Sequence, residues 1–193
     1  MKTSLQTKMI LASGSPRRIE ILKSLGHEFA VIPAGIDENI AAGESPADHV
    51  LRLSRAKATY VAAKYPDSLV IGADTIVVLA DEILGKPKSP SDAIQMLNRL
   101  SGKRHAVYTG LALVYVSRKI NMANYDLTYV MFNDLDPSAI ENYVASGEPL
   151  DKAGAYGIQG MGSFLVKNYD GELDTVIGLP SKLFEKLLRE SGI

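Results

Sequence analysis

The segment between Ser13 and Arg18 brings together several groups that bind phosphate. The hydroxyls of Ser13 and Ser15 can donate hydrogen bonds, and Gly14 lets a ligand approach the backbone closely. Arg17 and Arg18 add fixed positive charge with bidentate geometry. These residues could form an anion site, but they also suit an ordinary capped helix with two surface arginines. The segment alone leaves both interpretations open.

The elements predicted on either side show how such a site would form. Residues 8–12 predict a short buried strand. Residues 16–25 predict a helix with Ser15 as its N-cap and Pro16 at its first position. A strand-to-helix junction of this kind presents unpaired backbone N–H groups and the positive end of the helix dipole to a bound anion.

Asp74 stands between two apolar runs, residues 69–73 and 76–79. Burying an unpaired carboxylate is unfavourable, so this aspartate is not a routine core residue. Ligands in open α/β sheets gather at the carboxyl ends of strands, where Asp74 could bind a metal ion or accept a proton from water. The alternative is an aspartate at a strand end or bulge that caps local backbone. We favour the functional interpretation.

Lys57 interrupts an apolar helix face formed by Val50, Leu53 and Val61. Its ammonium could point towards a bound anion. On spacing alone, a side chain that snorkels at the rim of the face is the better interpretation. Lys86 follows Gly85 in a predicted turn, where a lysine is usually only solvated.

The segment 146–162, called the glycine-rich loop below, contains five glycines, two acids, Lys152 and Gln159. Long structured loops of this mixture are generally functional. The amide of Gln159 both donates and accepts hydrogen bonds, so it could recognise a base edge or a ribose.

Composition excludes several classes of function. The 193 residues contain no cysteine, which excludes disulfides, thiol catalysis and Cys-ligated metal sites. A net charge of −1, without interleaved aromatic and basic residues, gives no support for nucleic-acid binding. No run approaches the ~18 apolar residues of a membrane span, and the apolar stretch 9–12 is too short for a signal peptide. We therefore expect a soluble, cytoplasmic protein with no membrane partner.

Familiar catalytic patterns do not occur in the sequence. There is no Walker A motif, nucleophile elbow or helical His-Glu-x-x-His. His27, His49 and His105 lack metal-ligand spacing, so we interpret all three as structural or surface residues.

The predicted elements alternate as in an α/β fold. Strands are predicted at 8–12, 28–33, 69–79, 105–116, 121–132, 163–167 and 175–177. Helices are predicted at 16–25, 46–64, 89–100, 136–146 and 180–190. This order indicates a mixed sheet covered by helices, in one domain that spans residues 1–193.

Several segments, in order along nearly the whole chain, resemble the Maf family. They are Ala12-Ser13-x-Ser15-Pro16-Arg17-Arg18, Gly72-Ala73-Asp74-Thr75, Gly85-Lys86-Pro87, Leu100-Ser101-Gly102, Thr109-Gly110, Asp151-Lys152-Ala153-Gly154-x-Tyr156-x-Ile158-Gln159-Gly160 and Gly178-Leu179-Pro180. The strand 126–132 is only loosely like the family's.

The resemblance implies a fold, a reaction and a cofactor. The implied fold is an elongated mixed sheet flanked by helices, with two lobes around a central cleft, similar to the inosine triphosphate pyrophosphatase fold. The implied reaction is hydrolysis of a nucleoside triphosphate between its α- and β-phosphates, assisted by a divalent ion, Mg²⁺ or Mn²⁺. A homodimer, a role in clearing non-standard nucleotides and a link to arrest of septum formation are further expectations from the family.

The resemblance also implies roles for individual residues. Asp74 would accept a proton from the attacking water, and Glu38 is a candidate metal ligand beside it. The substrate would be bound by Ser13, Ser15, Arg17, Arg18, Lys57, Thr75, Lys86, Lys152 and Gln159. For Lys57, this reverses the interpretation from spacing.

Three of these positions sort the branches of the family. The branch acting on 7-methylguanosine triphosphate tends to have tryptophan, glutamine and glutamate where this chain has Arg17, Thr75 and Gln159. The sequence therefore resembles the branch that hydrolyses dTTP and UTP, with modified pyrimidine nucleotides as further possible substrates. A non-catalytic nucleotide sensor is the alternative, since it would need the basic residues but not Asp74 beside a metal.

Overall fold

The computed structural model describes residues 8–193. The strands are β1 (Lys8–Leu11), β2 (Phe29–Val31), β3 (Ser68–Leu79), β4 (Glu82–Leu84), β5 (Arg104–Tyr115), β6 (Ile120–Phe132) and β7 (Val166–Asp170). The α-helices are α1 (Pro16–Ser24), α2 (Pro46–Ala62), α3 (Pro90–Leu100), α4 (Pro137–Ala145), α5 (Leu173–Ile177) and α6 (Ser181–Glu190). Short 3₁₀ helices cover Glu148–Asp151, Ala153–Ala155 and Gly160–Leu165.

The described strands form one mixed sheet in the order β2-β1-β3-β5-β6-β7, with β4 paired to β3. β1 is parallel to β2 and β3, whereas the β3–β4 and β6–β7 pairs are antiparallel. The predicted α/β class with a mixed sheet and flanking helices is therefore confirmed. Within the described residues, no helix has both the length and the apolar character that a membrane span requires.

The helix starts follow from local sequence. Proline occupies the first position of α1, α2, α3 and α4, where its missing N–H has no intrahelical role. The hydroxyls of Ser45 and Ser89 accept hydrogen bonds from the backbone N–H groups of Asp48 and Asp92, as N-caps do. Ser15 is the N-cap of α1, as predicted, but its side chain makes no cap hydrogen bond.

The described chain divides into two compact units. The first contains residues up to Asp74, Thr109–Asp126 and Gly178–Ile193. The second contains Thr75–Tyr108 and Leu127–Ile177. β3, β5 and β6 each contribute residues to both.

In the first unit, α2 packs closely on the sheet. A Cβ at Gly72 would lie 2.1 Å from the backbone oxygen of Ser54, and one at Gly110 would lie 2.2 Å from that of Val50. Only glycine fits at either position, because any side chain would collide with the α2 backbone. β3 continues through Gly72 without interruption. The close approach brings α2 against β3 two residues before Asp74.

The second unit has its own apolar core, to which β3, β5, β6, α3 and α4 contribute. Its largest fully buried side chains include Phe132, Tyr143, Leu97 and Leu100. Gly154 of the glycine-rich loop packs directly on this core, since a Cβ there would lie 2.8 Å from a methyl group of Val77.

One predicted strand near the C-terminus was wrong. Residues 175–177 belong to α5 rather than to a strand. Thr128 donates its hydroxyl proton to the backbone oxygen of Glu172, at 2.9 Å, and Gly171 has a φ of 129°. The chain is thereby anchored in a turn at this point, and that tertiary contact overrides the β-propensity of the Thr-Val-Ile run.

The other errors concern strand limits. The predicted strand at 163–167 is displaced, because residues up to Leu165 form a 3₁₀ helix and β7 begins at Val166. The three residues of β4 follow a turn in which Ala80 and Asp81 have positive φ, and the sequence did not predict them as a strand.

Candidate active site

The loop between β1 and α1 is organised by Ser13. Its Oγ accepts hydrogen bonds from the backbone N–H of Ser15, at 3.3 Å, and from Nη1 of Arg18, at 3.1 Å. Ser13 is buried, with 7% of its surface exposed. The predicted phosphate segment is thus a defined turn in which Ser13 and Arg18 are held together.

Arg18 connects this turn to β3. Its Nη1 donates to the backbone oxygen of Ala73 at 2.9 Å, and its Nε donates to that of Gly178 at 2.8 Å. Desolvation lowers the pKa of Arg18, an effect opposed by the nearby carboxylates of Asp74 and Glu38. The guanidinium remains charged. Because Ala73 precedes Asp74, Arg18 fixes the backbone that presents this carboxylate.

Asp74, Lys57 and Glu38 form a group that we call the charged cluster. Nζ of Lys57 lies 2.7 Å from Oδ1 of Asp74 and 2.8 Å from Oε1 of Glu38. Lys57 and Asp74 are 6% and 5% exposed, whereas the Glu38 side chain is 45% exposed. Lys57 therefore does not snorkel to solvent. Its ammonium is a buried partner of two carboxylates.

Asp74 lies inside the twelve residues of β3, within the predicted strand at 69–79. It does not lie at the carboxyl end of a strand or in a cap, where the two interpretations of this residue put it. Because α2 lies close to β3 at Gly72, the Lys57 ammonium of α2 reaches the Asp74 carboxylate. With this partner, a carboxylate is tolerated within a buried strand.

His49 is a residue that the sequence analysis missed. It is 3% exposed, and its Nε2 lies 3.9 Å from Oδ2 of Asp74. Its Nδ1 lies 2.9 Å from Oε2 of Glu44, and Arg52 holds that carboxylate with Nε at 2.5 Å and Nη2 at 2.7 Å. The signal was present in the spacing, since His49 and Lys57 are eight residues apart and share one face of α2.

The pKa of Glu44, whose carboxylate contacts His49, is strongly lowered. The hydrogen bond from Arg52 is the largest cause that lowers the pKa of Glu44 to about 2, and His49 contributes in the same direction. Glu44 is thus ionised at neutral pH and holds the His49 ring from the side opposite Asp74.

The remaining predicted substrate residues, other than Ser15 of the β1–α1 turn and Arg17 of α1, belong to the second unit. Thr75 follows Asp74 in β3 and is half-buried, Lys86 is exposed, and Gln159 is exposed in the glycine-rich loop. Nζ of Lys152 donates to the backbone oxygen of Glu148 and, at 2.7 Å, to Oδ1 of Asp151. The N–H of Gly154 donates to the backbone oxygen of Gly85 at 3.0 Å, which ties the loop to the segment of Lys86.

His105 and Tyr156 form a buried polar pair in the second unit. His105 Nε2 and the Tyr156 hydroxyl share a hydrogen bond of 2.8 Å, and both rings pack edge-on against Phe132. Burial lowers the pKa of His105 to about 4 and raises that of Tyr156. Both side chains are neutral at physiological pH, which fits a structural role for His105.

The carboxylates of the charged cluster suit a Mg²⁺-type ion but do not form a complete protein cage. No group of three or more potential metal-ligating side chains occurs among residues 8–193. Asp74 and Glu38 converge on one ammonium, and each has a second carboxylate oxygen. Mg²⁺ is usually bound by one or two carboxylates together with waters and substrate phosphates, so this donor set fits an ion that arrives with a triphosphate.

Comparison with known proteins gives a consistent result over nearly the whole chain. Residues 8–191 match the family model described as Maf-like protein. A relative from Moorella thermoacetica, named dTTP/UTP pyrophosphatase, is 49% identical over 187 residues, which cover 97% of this chain and 96% of the relative. A relative of the same name from Syntrophus aciditrophicus is 45% identical over 188 residues, with 97% and 92% covered.

Solved structures give weaker matches. The Ham1 protein of Staphylococcus aureus has a TM-score of 0.46 and 17% identity, covering 66% of this chain and 73% of that chain. A nucleoside-triphosphatase (dITP/XTP pyrophosphatase) from Mycobacterium abscessus has a TM-score of 0.44 and 11% identity, with 67% and 76% covered. At these TM-scores, neither match establishes a shared fold.

Proposed function

Because this chain belongs to the Maf family, we propose that it is a nucleoside triphosphate pyrophosphatase that hydrolyses dTTP and UTP to the monophosphate and pyrophosphate. The relatives named dTTP/UTP pyrophosphatase support the substrate, since they align with 96 to 97% of this chain. Such an enzyme is a hydrolase of phosphoanhydride bonds.

The observation that carries the proposal is the buried ion pair of Asp74 and Lys57. A buried ion pair is a poor way to gain stability, because removing two charges from water offsets most of their attraction. A pair between a buried strand and a helix, with a third charged residue and a histidine beside it, is better explained by chemistry on a charged substrate.

Asp74 is the proposed proton acceptor. In the proposed reaction a water attacks the α-phosphorus, its proton passes to a carboxylate oxygen of Asp74, and the bond to the bridging oxygen breaks. The pyrophosphate leaves with the bonding electron pair. Lys57 holds Oδ1, so Oδ2 is the oxygen assigned to the proton. Arg18 supports this role by fixing the strand next to Asp74.

Positive charge is the second requirement, because a triphosphate carries close to four negative charges. Arg17, Lys57, Lys86 and Lys152 are the proposed counter-charges, together with the N–H groups and hydroxyls of the turn that contains Ser13 and Ser15. Arg18 contributes its charge over a distance, while its N–H groups hold protein oxygens.

A divalent ion, Mg²⁺ or Mn²⁺, completes the proposal. Asp74 and Glu38 are the residues that would hold it, and when bound it would neutralise charge on the phosphate oxygens. The side chains of Arg17, Thr75 and Gln159 are assigned to recognition of the base and sugar. The Gln159 amide has the donor and acceptor that a pyrimidine edge requires.

The test is to incubate the purified protein with each common nucleoside triphosphate and with 7-methylguanosine triphosphate, with Mg²⁺ or Mn²⁺. Pyrophosphate and orthophosphate are measured separately. We expect pyrophosphate release to be fastest with dTTP and UTP. Release of orthophosphate alone would contradict the cleavage site, and preference for the methylated guanine nucleotide would contradict the assigned roles of Arg17, Thr75 and Gln159. Binding without hydrolysis would favour a nucleotide sensor.

A further inference from the structure

The glycine-rich loop is held by two side chains that the proposed mechanism does not use, Tyr143 and Glu148. Tyr143 lies in α4 and is 2% exposed. Glu148 begins the first 3₁₀ helix of the loop and is half-buried. The Tyr143 hydroxyl lies 3.0 Å from Oε1 of Glu148. We call these residues the Tyr143–Glu148 pair.

The hydrogen bonds of the pair run in one direction. The backbone N–H of Gly157 donates to the Tyr143 oxygen at 3.0 Å, and the Tyr143 hydroxyl donates to Oε1 of Glu148. The backbone N–H of Met161 donates to Oε2 of Glu148 at 3.2 Å. The Tyr143 oxygen thus accepts one hydrogen bond, and the two oxygens of Glu148 accept one each. A carboxylate, whose oxygens accept and do not donate, satisfies this arrangement.

The packing around the pair leaves little room for movement. A Cβ at Gly162 would lie 2.3 Å from the backbone oxygen of Gly157 and 2.7 Å from the Tyr143 oxygen. A Cβ at Gly157 would lie 3.2 Å from Cε of Lys152 and 3.3 Å from Oε1 of Glu148. The loop is therefore closed on the pair, although it contains no regular α-helix or strand.

The position of Gln159 follows from these contacts. It lies midway between Gly157 and Met161, the two residues whose N–H groups bond to the pair. Lys152 is held by the same glutamate, because its Nζ donates to the backbone oxygen of Glu148. The segment of Gln159 is thus tied to the pair on both sides, and Lys152 is tied to the backbone of Glu148.

We propose that Tyr143 and Glu148 are positioning residues that set substrate affinity and base selection by fixing the segment of Gln159 and Lys152. The inference rests on the proposed function, which assigns Gln159 to the base and Lys152 to the phosphates. Neither residue of the pair touches the reacting atoms, so the pair acts on binding rather than on the chemical step.

The test compares Tyr143→Phe and Glu148→Gln with the wild type. Phenylalanine keeps the ring in the core but removes the oxygen that accepts from Gly157. Glutamine keeps the size of Glu148 but replaces one acceptor oxygen with a donor, so the chain of hydrogen bonds can no longer be completed. Tyr169→Phe and Glu141→Gln, at exposed positions of the same unit, are the matched controls.

Two readouts separate positioning from a merely structural role. We expect the KM for UTP to rise about tenfold in both variants with kcat nearly unchanged, and the preference for UTP over ATP in kcat/KM to fall about tenfold. Amide hydrogen exchange at Gly157, followed by NMR, should accelerate by a similar factor in Tyr143→Phe. Both controls should match the wild type.

Other outcomes overturn the inference. If exchange at Gly157 accelerates but KM and base preference stay at the wild-type values, the pair holds the loop without positioning the substrate. If exchange is unchanged, the pair does not hold the loop. A wild type that releases no pyrophosphate defeats the proposed function itself, and the inference with it, whereas an active wild type with unaffected variants defeats the inference alone.

Discussion

The charged cluster of the first unit and the glycine-rich loop of the second hold their side chains by different means. In the cluster, Asp74 and Lys57 stand on a strand and a long helix, and charge pairs fix them. In the loop, Gln159 and Lys152 lie between short 3₁₀ helices, and hydrogen bonds that involve backbone groups fix their segments. Regular elements carry the proposed proton acceptor and its ammonium partner, whereas an irregular segment carries Gln159, one of the three proposed recognition residues.

The two units also differ in whether their buried titratable groups carry charge. The cluster places ionised groups where water is scarce, so each depends on its partner. In the second unit the buried titratable pair, His105 and Tyr156, is kept neutral instead. Removing one charge should therefore have a larger effect in the first unit than removing one hydrogen bond has in the second.

The largest effect is expected for Asp74→Asn. Loss of the proton acceptor should lower kcat about a thousandfold, equivalent to about 4 kcal/mol, while the amide keeps a hydrogen bond to Lys57. Steady-state pyrophosphate release with UTP measures it, and Asp67→Asn, at an exposed position, is the control. Turnover within about tenfold of the wild type, in a folded variant, would mean that Asp74 is not the base.

Lys57→Met should produce the largest loss of stability. The variant leaves the buried carboxylate of Asp74 without its ammonium, which should lower the free energy of unfolding by about 3 kcal/mol. Urea unfolding at pH 7 measures the change, with the exposed Lys23→Met as the matched control. Equal stability of the two variants would show that the ion pair does not hold the cluster.

His105 should make stability depend on pH. The pKa of His105 is about 4 in the folded protein, whereas an ordinary histidine, as in the unfolded chain, has a pKa of 6.5. Between these two pH values the unfolded chain therefore binds one proton more than the folded protein does. Stability is therefore lost as the pH falls from about 6.5 to about 4, by about 3 kcal/mol in total.

The variant His105→Gln tests this pH dependence. Glutamine can bond to Tyr156 but does not titrate, so its unfolding free energy should change less over the same pH range than that of the wild type. His27→Gln, at a half-buried position, should leave the wild-type slope largely unchanged. A wild-type slope in His105→Gln would assign the acid sensitivity to other groups.

The smallest effect is expected for Gly162→Ala. The new methyl group would meet the Gly157 backbone and the Tyr143 hydroxyl, and this overpacking should destabilise the protein by about 2 kcal/mol. Gly35→Ala is the matched control, because a Cβ there has no neighbour within 4 Å. Thermal unfolding compares the two. No difference between them would mean that the loop is not closed on the pair.

The sequence predicted the parts of the site that depend on regular elements. Ser13, Arg18, Lys57 and Asp74 were all named, and the structure brings them together with Glu38 in one unit. Caps and apolar periodicity located the elements that carry these residues. For Lys57, periodicity alone favoured a snorkelling side chain, and only the family resemblance gave it a role at the site. The sequence did not indicate how a carboxylate could lie within a buried strand, because it does not reveal how closely α2 approaches Gly72.

The contacts within the glycine-rich loop could not be predicted from the sequence. The glycines indicated a structured segment, but the bonds among Tyr143, Glu148 and Gly157 depend on several positive-φ turns in succession, which have no periodic signature. The helical turn at 173–177 was missed for a related reason, since a contact from Thr128 fixes it. In both the glycine-rich loop and α5, tertiary hydrogen bonds determine the backbone conformation.

The central claim is that water, activated by Asp74, attacks the α-phosphorus and expels pyrophosphate. Hydrolysis of UTP in ¹⁸O-labelled water, with the position of the label read by mass spectrometry, tests it most directly. We expect one ¹⁸O atom in the monophosphate and none in the pyrophosphate, and we expect Asp74→Asn to lose the reaction. Label in the pyrophosphate, or release of orthophosphate, would contradict it.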